Sequence, residues 1–315
     1  MISIGEQILE KENKLANIAK LAAMREVYAR GKDWILVYTI LALIGVLILA
    51  PCGFILKRLY AIDISWLVAL YGITLFALDT FIIKRQIKLL KTKAASIQEQ
   101  FDCEVLIMGW NKMLFSKKPE DTDVPKYSEF RIKRMKGKKK LDKFKNWYKE
   151  PIKKVAGNSA KLICQRSNIA YDMEVRNSFL KSVLIVSWGI FILLAVLAFL
   201  MELSIGSFII NAVSPFLPIF SITTKWHYEQ KDTIQTLKDI KNVVENEWDF
   251  VISTVTEPDD TTIRQIQDRI HLHRKTSPLV PDIIYDMLRN KNEKYILHSV
   301  NEQVQEYLKS RGIEE

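Results

Sequence analysis

The chain has 315 residues, of which 49% are hydrophobic and 26% are charged, and its formal net charge is +10. This length accommodates two modest folding units. The hydrophobic residues are concentrated in long uncharged blocks, which argues against an ordinary soluble protein built from short amphipathic helices.

The N-terminal part predicts an amphipathic helix followed by two membrane spans. Residues 1–33 place apolar residues at helical intervals and charges opposite them, as expected of a cytoplasmic helix. Residues 34–56 then contain no charge, and residues 61–83 contain only Asp63 and Asp79. Because a helix of about 20 apolar residues crosses a bilayer, we predict a first transmembrane hairpin over residues 34–83.

Residues 84–181 predict a basic, helical cytoplasmic segment. The second span is expected to continue as a helical stalk, because no Gly or Pro interrupts its polar continuation. Lys117 to Tyr127 reads as a loop, and the basic helix that follows is expected to end at Pro151. The run from Arg131 to Lys145 suits anionic lipid head groups, the alternative being a nucleic acid or another anionic ligand.

The end of this segment, "LICQRSNIAYDMEVRNSF", has a polar face. Gln165, Asn168, Asp172 and Arg176 are three, four and four residues apart, so they share one side of a helix. This pattern is typical of an ordinary solvated surface with one ion pair. It is equally typical of a polar network that packs against other cytoplasmic helices and couples them to the third span.

A second hairpin is predicted over residues 182–222, with spans at 182–201 and 205–222. Pro215 and Pro218 predict a kink in the last span. Residues 223–315 predict further cytoplasmic helices, one of them capped at Asp260 or Thr261. The polar residues within the spans, which are candidates for a pore or for interfacial positions, are Asp63, Asp79 and Asn211.

The distribution of basic residues predicts the orientation. Residues 84–181 carry 25 Lys and Arg against 11 Asp and Glu, whereas the link between the last two spans has no basic residue. The positive-inside rule therefore places the middle segment and both termini in the cytoplasm. Cys52, Cys103 and Cys164 have neither disulfide nor metal-ligand spacing, and reduced thiols are expected.

Six stretches resemble the SMODS-associating four-transmembrane effectors, a family of pore-forming proteins in bacterial defence operons. In chain order they are "NIAKLAAMREVYARGK", "SIQEQFDCEVLIMGWN", "KNWYK", "LICQRSNIAYDMEVR", "RQIQDRIHLHRK" and "VPDIIYDMLR". Tyr171 and Ile283–Ile284 depart from the aromatic residues expected at those places. The resemblance implies an all-α inner-membrane protein with four spans in two hairpins and a helical cytoplasmic domain.

The resemblance also implies a ligand and partners. A nucleotidyltransferase would make a cyclic oligonucleotide, and this chain would bind it, oligomerise and breach the bacterial inner membrane, without a metal or other cofactor. Phosphates require guanidinium or ammonium groups, and bases require aromatic faces. Eight residues of these types within the resembling stretches are taken as candidate ligand contacts: Trp147, Arg166, Tyr171, Arg176, Arg264, Arg274, Tyr285 and Arg289.

Two other function classes remain open from the sequence. A constitutive ion channel or small transporter would use Asp79 and Asn211 along its path. A membrane-anchored scaffold would recruit a protein or nucleic acid through its basic segment. No phosphate-binding loop or catalytic signature is present in the sequence, and an enzyme is not predicted.

Overall fold

The computed structural model describes residues 2–115 and 118–313, and the side chains of residues 46, 50, 138–140, 211, 212, 215, 218 and 219 lie outside that description. The described chain is all helical and contains no strand. Its α-helices are α1 (Ile4–Glu12), α2 (Leu15–Ile44), α3 (Ala50–Tyr60), α4 (Ser65–Leu78), α5 (Lys84–Val105), α6 (Asp123–Arg134), α7 (Gly157–Leu200), α8 (Ile205–Phe208), α9 (Ser214–Thr254), α10 (Asp260–Thr276) and α11 (Asp282–Ser310).

These helices form two compact units. Unit 1 comprises Met1–Arg30, Leu90–Asn177 and Asp232–Glu315, and unit 2 comprises Gly31–Leu89 and Ser178–Lys231. The chain passes from one unit to the other at four places, which fall within α2, α5, α7 and α9. Each passage is therefore made by a continuous helix.

Unit 1 has one hydrophobic core to which all three of its chain pieces contribute. Leu21, Phe101, Ile163 and Ile263 are at most 1% exposed and belong to this core. Helix α1, which the sequence reasoning did not separate from α2, packs on the short 3₁₀ helix Glu150–Lys154. Its first turn is capped by Ser3, whose hydroxyl accepts a hydrogen bond from the Glu6 N–H.

The basic segment differs from its prediction. Helix α6 begins at Asp123, inside the predicted loop, and ends at Arg134. Gly137 then adopts a φ of 146°, which an L residue rarely adopts, and a 3₁₀ helix follows at Lys138–Phe144. Pro151 lies in the first turn of the next 3₁₀ helix, Glu150–Lys154, instead of ending a long helix, because proline is compatible with a first helical turn.

The C-terminal region is helical, as its periodicity predicted, but the N-cap of α10 differs from the prediction. The N-cap of α10 is Asp259, one residue before the first of the two predicted positions, and its carboxylate accepts from the Thr262 N–H. The last helix, α11, is continuous over 29 residues.

Unit 2 contains the apolar helices. Three helical stretches are long and apolar enough to cross a membrane, namely Leu15–Tyr60, Ser65–Val105 and Gly157–Leu200. Many of their large apolar side chains are exposed, including Trp66, Phe76 and Phe199. The predicted stalk is confirmed as helical, since the helix from Ser65 continues to Val105.

The first hairpin turns later than predicted. Helix α3 continues to Tyr60, and Ala61 then takes a left-handed conformation with a φ of 54°. The second helix begins at Ser65 and not at residue 61, because Asp63 lies in the turn and accepts the Ser65 N–H at 2.9 Å. Tyr71 packs on Gly45 and donates its hydroxyl to the Leu41 carbonyl, which joins the two helices.

Residues 205–222, the predicted fourth span, are helical but are not among the three stretches above. A π-helical turn over Ile209–Val213 precedes α9, in which the Ser214 N–H bonds to the Ile209 carbonyl. Pro215, which lacks an N–H, directly follows this turn. The kink remains a prediction, because the side chains of Pro215 and Pro218 lie outside the description.

Candidate functional site

Helices α5, α7 and α10 bring a group of polar side chains into the core of unit 1. Glu99 on α5, Gln165 on α7 and Gln267 on α10 are each 0% exposed, and Asp102 on α5 is 1% exposed. Buried polar groups are costly unless they are hydrogen-bonded. The arrangement of their partners therefore decides what this polar network does.

The contacts between α5 and α10 neutralise two buried carboxylates. Arg264 donates to Glu99 Oε1 at 2.5 Å, and Arg274 pairs with Asp102. The amide Nε2 of Gln267 donates to both acids, at 3.0 Å to Glu99 and 2.9 Å to Asp102. Two helices that are distant in the sequence are thereby joined through four polar contacts.

The face predicted on α7 packs against α10 and the residues after it. Gln165 donates to the Ile263 carbonyl at 2.9 Å, and Asp172 lies 3.0 Å from His273 Nε2. Arg176 donates to Asp172 at 2.9 Å and to the Pro278 carbonyl at 2.9 Å. These residues therefore form interhelical contacts, and the alternative of a solvated surface pair is wrong for Asp172 and Arg176.

The fourth residue of that face, Asn168, contacts the segment before α7. Trp147 Nε1 donates to Asn168 Oδ1 at 3.4 Å, and Asn168 Nδ2 donates to the Tyr148 hydroxyl at 3.1 Å. The Tyr148 hydroxyl in turn lies 3.5 Å from Asp102. This chain of contacts connects α7 to the acids on α5.

Burial and neighbouring charges shift the titration of the network. Burial, with a contribution from Asp102, raises the pKa of Glu99 despite the Arg264 guanidinium. Burial alone would raise the pKa of Asp172, but Arg176 and the hydrogen bond to His273 outweigh it and lower that pKa. Burial also lowers the pKa of His273, and it lowers that of His271 to about 3, so both imidazoles are neutral at pH 7.

The thiols in this region are not activated nucleophiles. Burial and the neighbouring Glu99 raise the pKa of Cys103 to about 12, and burial raises that of Cys164 well above its usual value. The network holds its charges in neutralised, hydrogen-bonded pairs. It is suited to fixing the relative positions of α5, α7 and α10.

The predicted ligand contacts fall into two groups. Trp147, Arg176, Arg264 and Arg274 belong to the network, where their donors are used by protein acceptors. The other four lie outside the network and are Arg166, Tyr171, Tyr285 and Arg289. The role of all eight residues as ligand contacts remains a prediction.

Arg166 and Arg289 have protein partners of their own. Arg166 donates to Glu245 at 2.7 Å and to the Ser299 hydroxyl at 2.6 Å. Arg289 donates to Glu293 and to the Lys143 carbonyl. Tyr171 and Tyr285 are half-buried.

The polar residues of the apolar blocks have separate surroundings in unit 2. Asp63 pairs with Lys57 at 2.7 Å in the exposed turn of the first hairpin, which favours the interfacial alternative for this residue. Asp79 starts a π-helical turn, Asp79–Ile83, and pairs with Lys84 at 2.7 Å. The side chain of Asn211 lies outside the described residues.

Sequence reasoning missed several members of the network, although a signal was present. Glu99, Asp102 and Gln267 were not predicted. Gln267 recurs with His271 and with Arg274, itself a predicted ligand contact, at intervals of four and three beside a stripe of buried isoleucines. His271 and His273 are two residues apart and lie on different faces of α10. His271 packs on Phe115 with ring centroids 3.9 Å apart, whereas His273 contacts α7.

Comparison with known proteins places the chain among bacterial effectors. The family model of the SMODS-associating 4TM effector domain matches residues 6–303. A protein of Bacillus cereus (strain VD146), described as a probable CBASS effector molecule, is 25% identical over 312 residues, which cover 92% of this chain and 96% of that protein. No solved structure matches the chain. The matched residues include every helix that contributes to the polar network.

Proposed function

This chain belongs to the SMODS-associating 4TM effector family, and from that premise we propose that it is the membrane effector of a CBASS antiphage defence system. A cyclic oligonucleotide, made by a nucleotidyltransferase during infection, binds unit 1. The bound protein then permeabilises the bacterial inner membrane. The description of the Bacillus cereus relative supports the assignment to CBASS.

Helix α7 is the observation that carries the proposal. Its first half presents Gln165, Asp172 and Arg176 to the polar network, and the same helix is one of the three stretches that are long and apolar enough to cross a membrane. The helix is continuous over 44 residues. A change in the packing of its first half therefore acts directly on a membrane-spanning helix.

We propose that the permeable state is an oligomer. Four helices from one chain pack into a bundle without a lumen wide enough for solutes. A water-filled path then requires several copies, with polar side chains turned away from lipid. The proposed topology has four spans, in two hairpins, with both termini in the cytoplasm, where the messenger is made.

In this proposal the cyclic oligonucleotide binds the permeable state more tightly than the closed state. A ligand shifts a two-state equilibrium only by the ratio of its affinities for those states, and about a 10⁴-fold preference converts a 1:99 mixture to 99:1. In this scheme the network holds α7 in the closed arrangement, and ligand binding to unit 1 favours the other.

Dye release from liposomes tests the proposal. The full chain is reconstituted into vesicles that contain a quenched dye, and cyclic di- and trinucleotides are added singly. We expect release with one or more of them and none without. Release that is equal without any nucleotide indicates a constitutive channel, and no release under any condition indicates a scaffold; either result contradicts the proposal.

A variant of Asp172 tests whether the network couples binding to release. Asp172→Asn removes the charge that holds Arg176 and His273, so we expect the release rate at saturating ligand to change by tenfold or more while ligand still binds. The matched control is Asp239→Asn, at an exposed residue of α9 whose carboxylate accepts a hydrogen bond from Gln235 at 2.9 Å. Equal effects of the two substitutions contradict the coupling role.

A further inference from the structure

Three arginines of unit 1 share a single buried carboxylate, that of Glu26 on α2. Glu26 is 3% exposed, and Arg30, one turn further on, donates to its Oε1 at 3.2 Å. Arg131 and Arg134 of α6 approach its other oxygen, Oε2, at 4.0 and 3.8 Å. These two separations are longer than hydrogen bonds. Arg131 and Arg134 are therefore attracted to the Glu26 carboxylate by charge, and neither donates a hydrogen bond to its Oε2.

A fourth arginine, Arg25, adjoins this group. Its Nη2 lies 3.3 Å from Asp282 Oδ1, and its positive charge contributes to lowering the pKa of Arg131, after the larger effect of burial. Four guanidinium groups therefore lie close to the carboxylates of Glu26 and Asp282. We call the four arginines the arginine cluster.

One donor of the arginine cluster is buried and has no acceptor. Arg131 Nε is inaccessible to solvent and makes no hydrogen bond among the described residues. Glu26 Oε2 likewise accepts none. Arg30 donates to a carboxylate, as Arg264 and Arg274 of the polar network do, whereas the Nε donor of Arg131 does not. This unused donor indicates that the arginine cluster is built to receive an additional anion.

Aromatic rings accompany these guanidiniums. The Arg25 guanidinium lies 4.9 Å from the ring centroid of Tyr285, and that of Arg30 lies 4.4 Å from that of Phe130. The side chains of Arg30 and Arg134 are 35% and 41% exposed, so the group is open to solvent. Stacked guanidiniums beside accessible rings are a common way to hold phosphates and bases together.

The surrounding sequence is the most basic part of the chain. Residues 126–154 contain 13 Lys and Arg against three Asp and Glu, an excess of ten that equals the formal net charge of the whole protein. The rest of the chain is therefore neutral overall. An anion that approaches unit 1 is attracted to the segment that contains Arg131 and Arg134.

From these observations we infer that Arg25, Arg30, Arg131 and Arg134 bind the phosphodiester groups of a cyclic oligonucleotide, with Phe130 and Tyr285 beside its bases. This site rests on the proposed function, and it differs from the arginines that the sequence motifs indicated. Those arginines make contacts between protein residues, whereas the arginine cluster binds the ligand.

Direct binding to the full chain in zwitterionic lipid nanodiscs tests the inference. Cyclic di- and trinucleotides are titrated singly against the wild type, Arg131→Gln and Arg131→Lys. We expect the dissociation constant of Arg131→Gln to be roughly tenfold to hundredfold larger than that of the wild type, since a hydrogen-bonded charge is lost. Arg131→Lys, which keeps the charge but loses the planar fork, falls between the two.

The matched control is Arg311→Gln. Arg311 also pairs with a carboxylate, that of Glu257 at 2.9 Å, and also lies over a tyrosine ring, that of Tyr307 at 3.7 Å. It should leave binding unchanged. Circular dichroism and thermal unfolding establish that each variant is folded, and Arg134→Gln replaces Arg131→Gln if the latter is not.

Binding and dye release are read together. Tight binding by Arg131→Gln and Arg134→Gln overturns the site, and ligand-dependent release would then leave the proposed function standing. Arginine-dependent binding without release supports the site and contradicts the proposed function. If the wild type binds no nucleotide, the inference is overturned. It is also overturned if the arginines affect binding to phosphatidylglycerol in nanodiscs but not binding to any nucleotide.

Discussion

The carboxyl group of Glu12 is buried where α1 meets the segment that contains Tyr148. Its side chain is 1% exposed, and Oε2 accepts the Tyr148 N–H at 2.8 Å while Oε1 has no partner among the described residues. Burial raises the pKa of Glu12 to about 8, against the opposing effects of that hydrogen bond and of Lys149. The folded protein therefore retains a proton that the unfolded chain loses near pH 4.5.

This raised pKa predicts a pH-dependent effect of Glu12→Gln. The stability that Glu12 contributes is complete below pH 4.5 and is lost as the pH rises through 8. The variant should therefore match the wild type near pH 4.5 and exceed its free energy of unfolding by about 2 to 4 kcal/mol at pH 9. Thermal unfolding over this range measures it. Glu10→Gln, at an exposed position of the same helix, should show no such trend.

The ion pair of Arg274 with Asp102 predicts a large loss of stability on Arg274→Met. Asp102 is 1% exposed, and removal of its partner leaves an uncompensated buried carboxylate, at a cost of about 3 to 5 kcal/mol. Arg289→Met, which breaks a pair whose side chains are 39% and 42% exposed, should cost under about 1 kcal/mol. Denaturant titration compares them, and similar losses would show that the network is not a stabilising element.

At the scale of single residues, the sequence predicted the polar face of α7 but not its partners on α10. Helical spacing places Gln165, Asn168, Asp172 and Arg176 on one face because that spacing is a local property. Their partners are not local: Gln267 is 102 residues from Gln165, and His273 is 101 from Asp172. Only the packing of α7 on α10 determines these pairs, so they were not predictable from a single sequence.

Among the elements, the attachment of α1 depends on a close backbone approach. The Gly5 N–H donates to the Val155 carbonyl at 3.1 Å, and a Cβ atom at Gly5 would lie 1.8 Å from the Ile152 carbonyl oxygen. No neighbouring flexible side chain can move to relieve that contact. The first turn of α1 therefore requires glycine to reach the 3₁₀ helix Glu150–Lys154.

Gly5→Ala should release α1 from unit 1. The added methyl group overlaps a carbonyl, so we expect a loss of about 1 to 3 kcal/mol and faster amide exchange over Ile4–Glu12. Hydrogen–deuterium exchange measures it. Gly109→Ala is the control, because nothing lies within 4 Å of a Cβ there. Unchanged protection of α1 would contradict the close approach.

Element boundaries were predictable where local chemistry sets them. The start of α10 was placed within one residue, because an acidic side chain caps it. The end of α6 was not predicted, since the basic run continues from Arg131 to Lys145 past the end of the helix. That end depends on the backbone conformation of Gly137. The separation of α1 from α2 was missed for a similar reason, because both are amphipathic.

The whole molecule combines an apolar helical unit with a polar one through four helices. The excess of basic residues lies between the two predicted hairpins, and the positive-inside rule assigns that part to the cytoplasm. Fold class was predictable because length and hydropathy determine it. The fourth span depends on residues 205–222, whose polar and proline positions weaken the signal.

Reporter fusions test this topology. Alkaline phosphatase should be active when fused after residue 62 or 203 and inactive after residue 313, whereas green fluorescent protein should show the reverse. The Lys57→Gln and Arg58→Gln double variant removes the only basic residues of the first turn, and it should give the same pattern. Phosphatase activity after residue 313 would require an odd number of spans.

The three separate chain pieces of unit 1 have a consequence for its biosynthesis. Its core contains Leu21, Phe101 and Val304, one from each piece. The last piece begins at residue 232 and leaves the ribosome only after all the apolar blocks have been synthesised. A nascent copy thus has no complete core in unit 1 until all its apolar blocks have left the ribosome, and translation that stops before residue 232 yields a chain in which unit 1 cannot form its core.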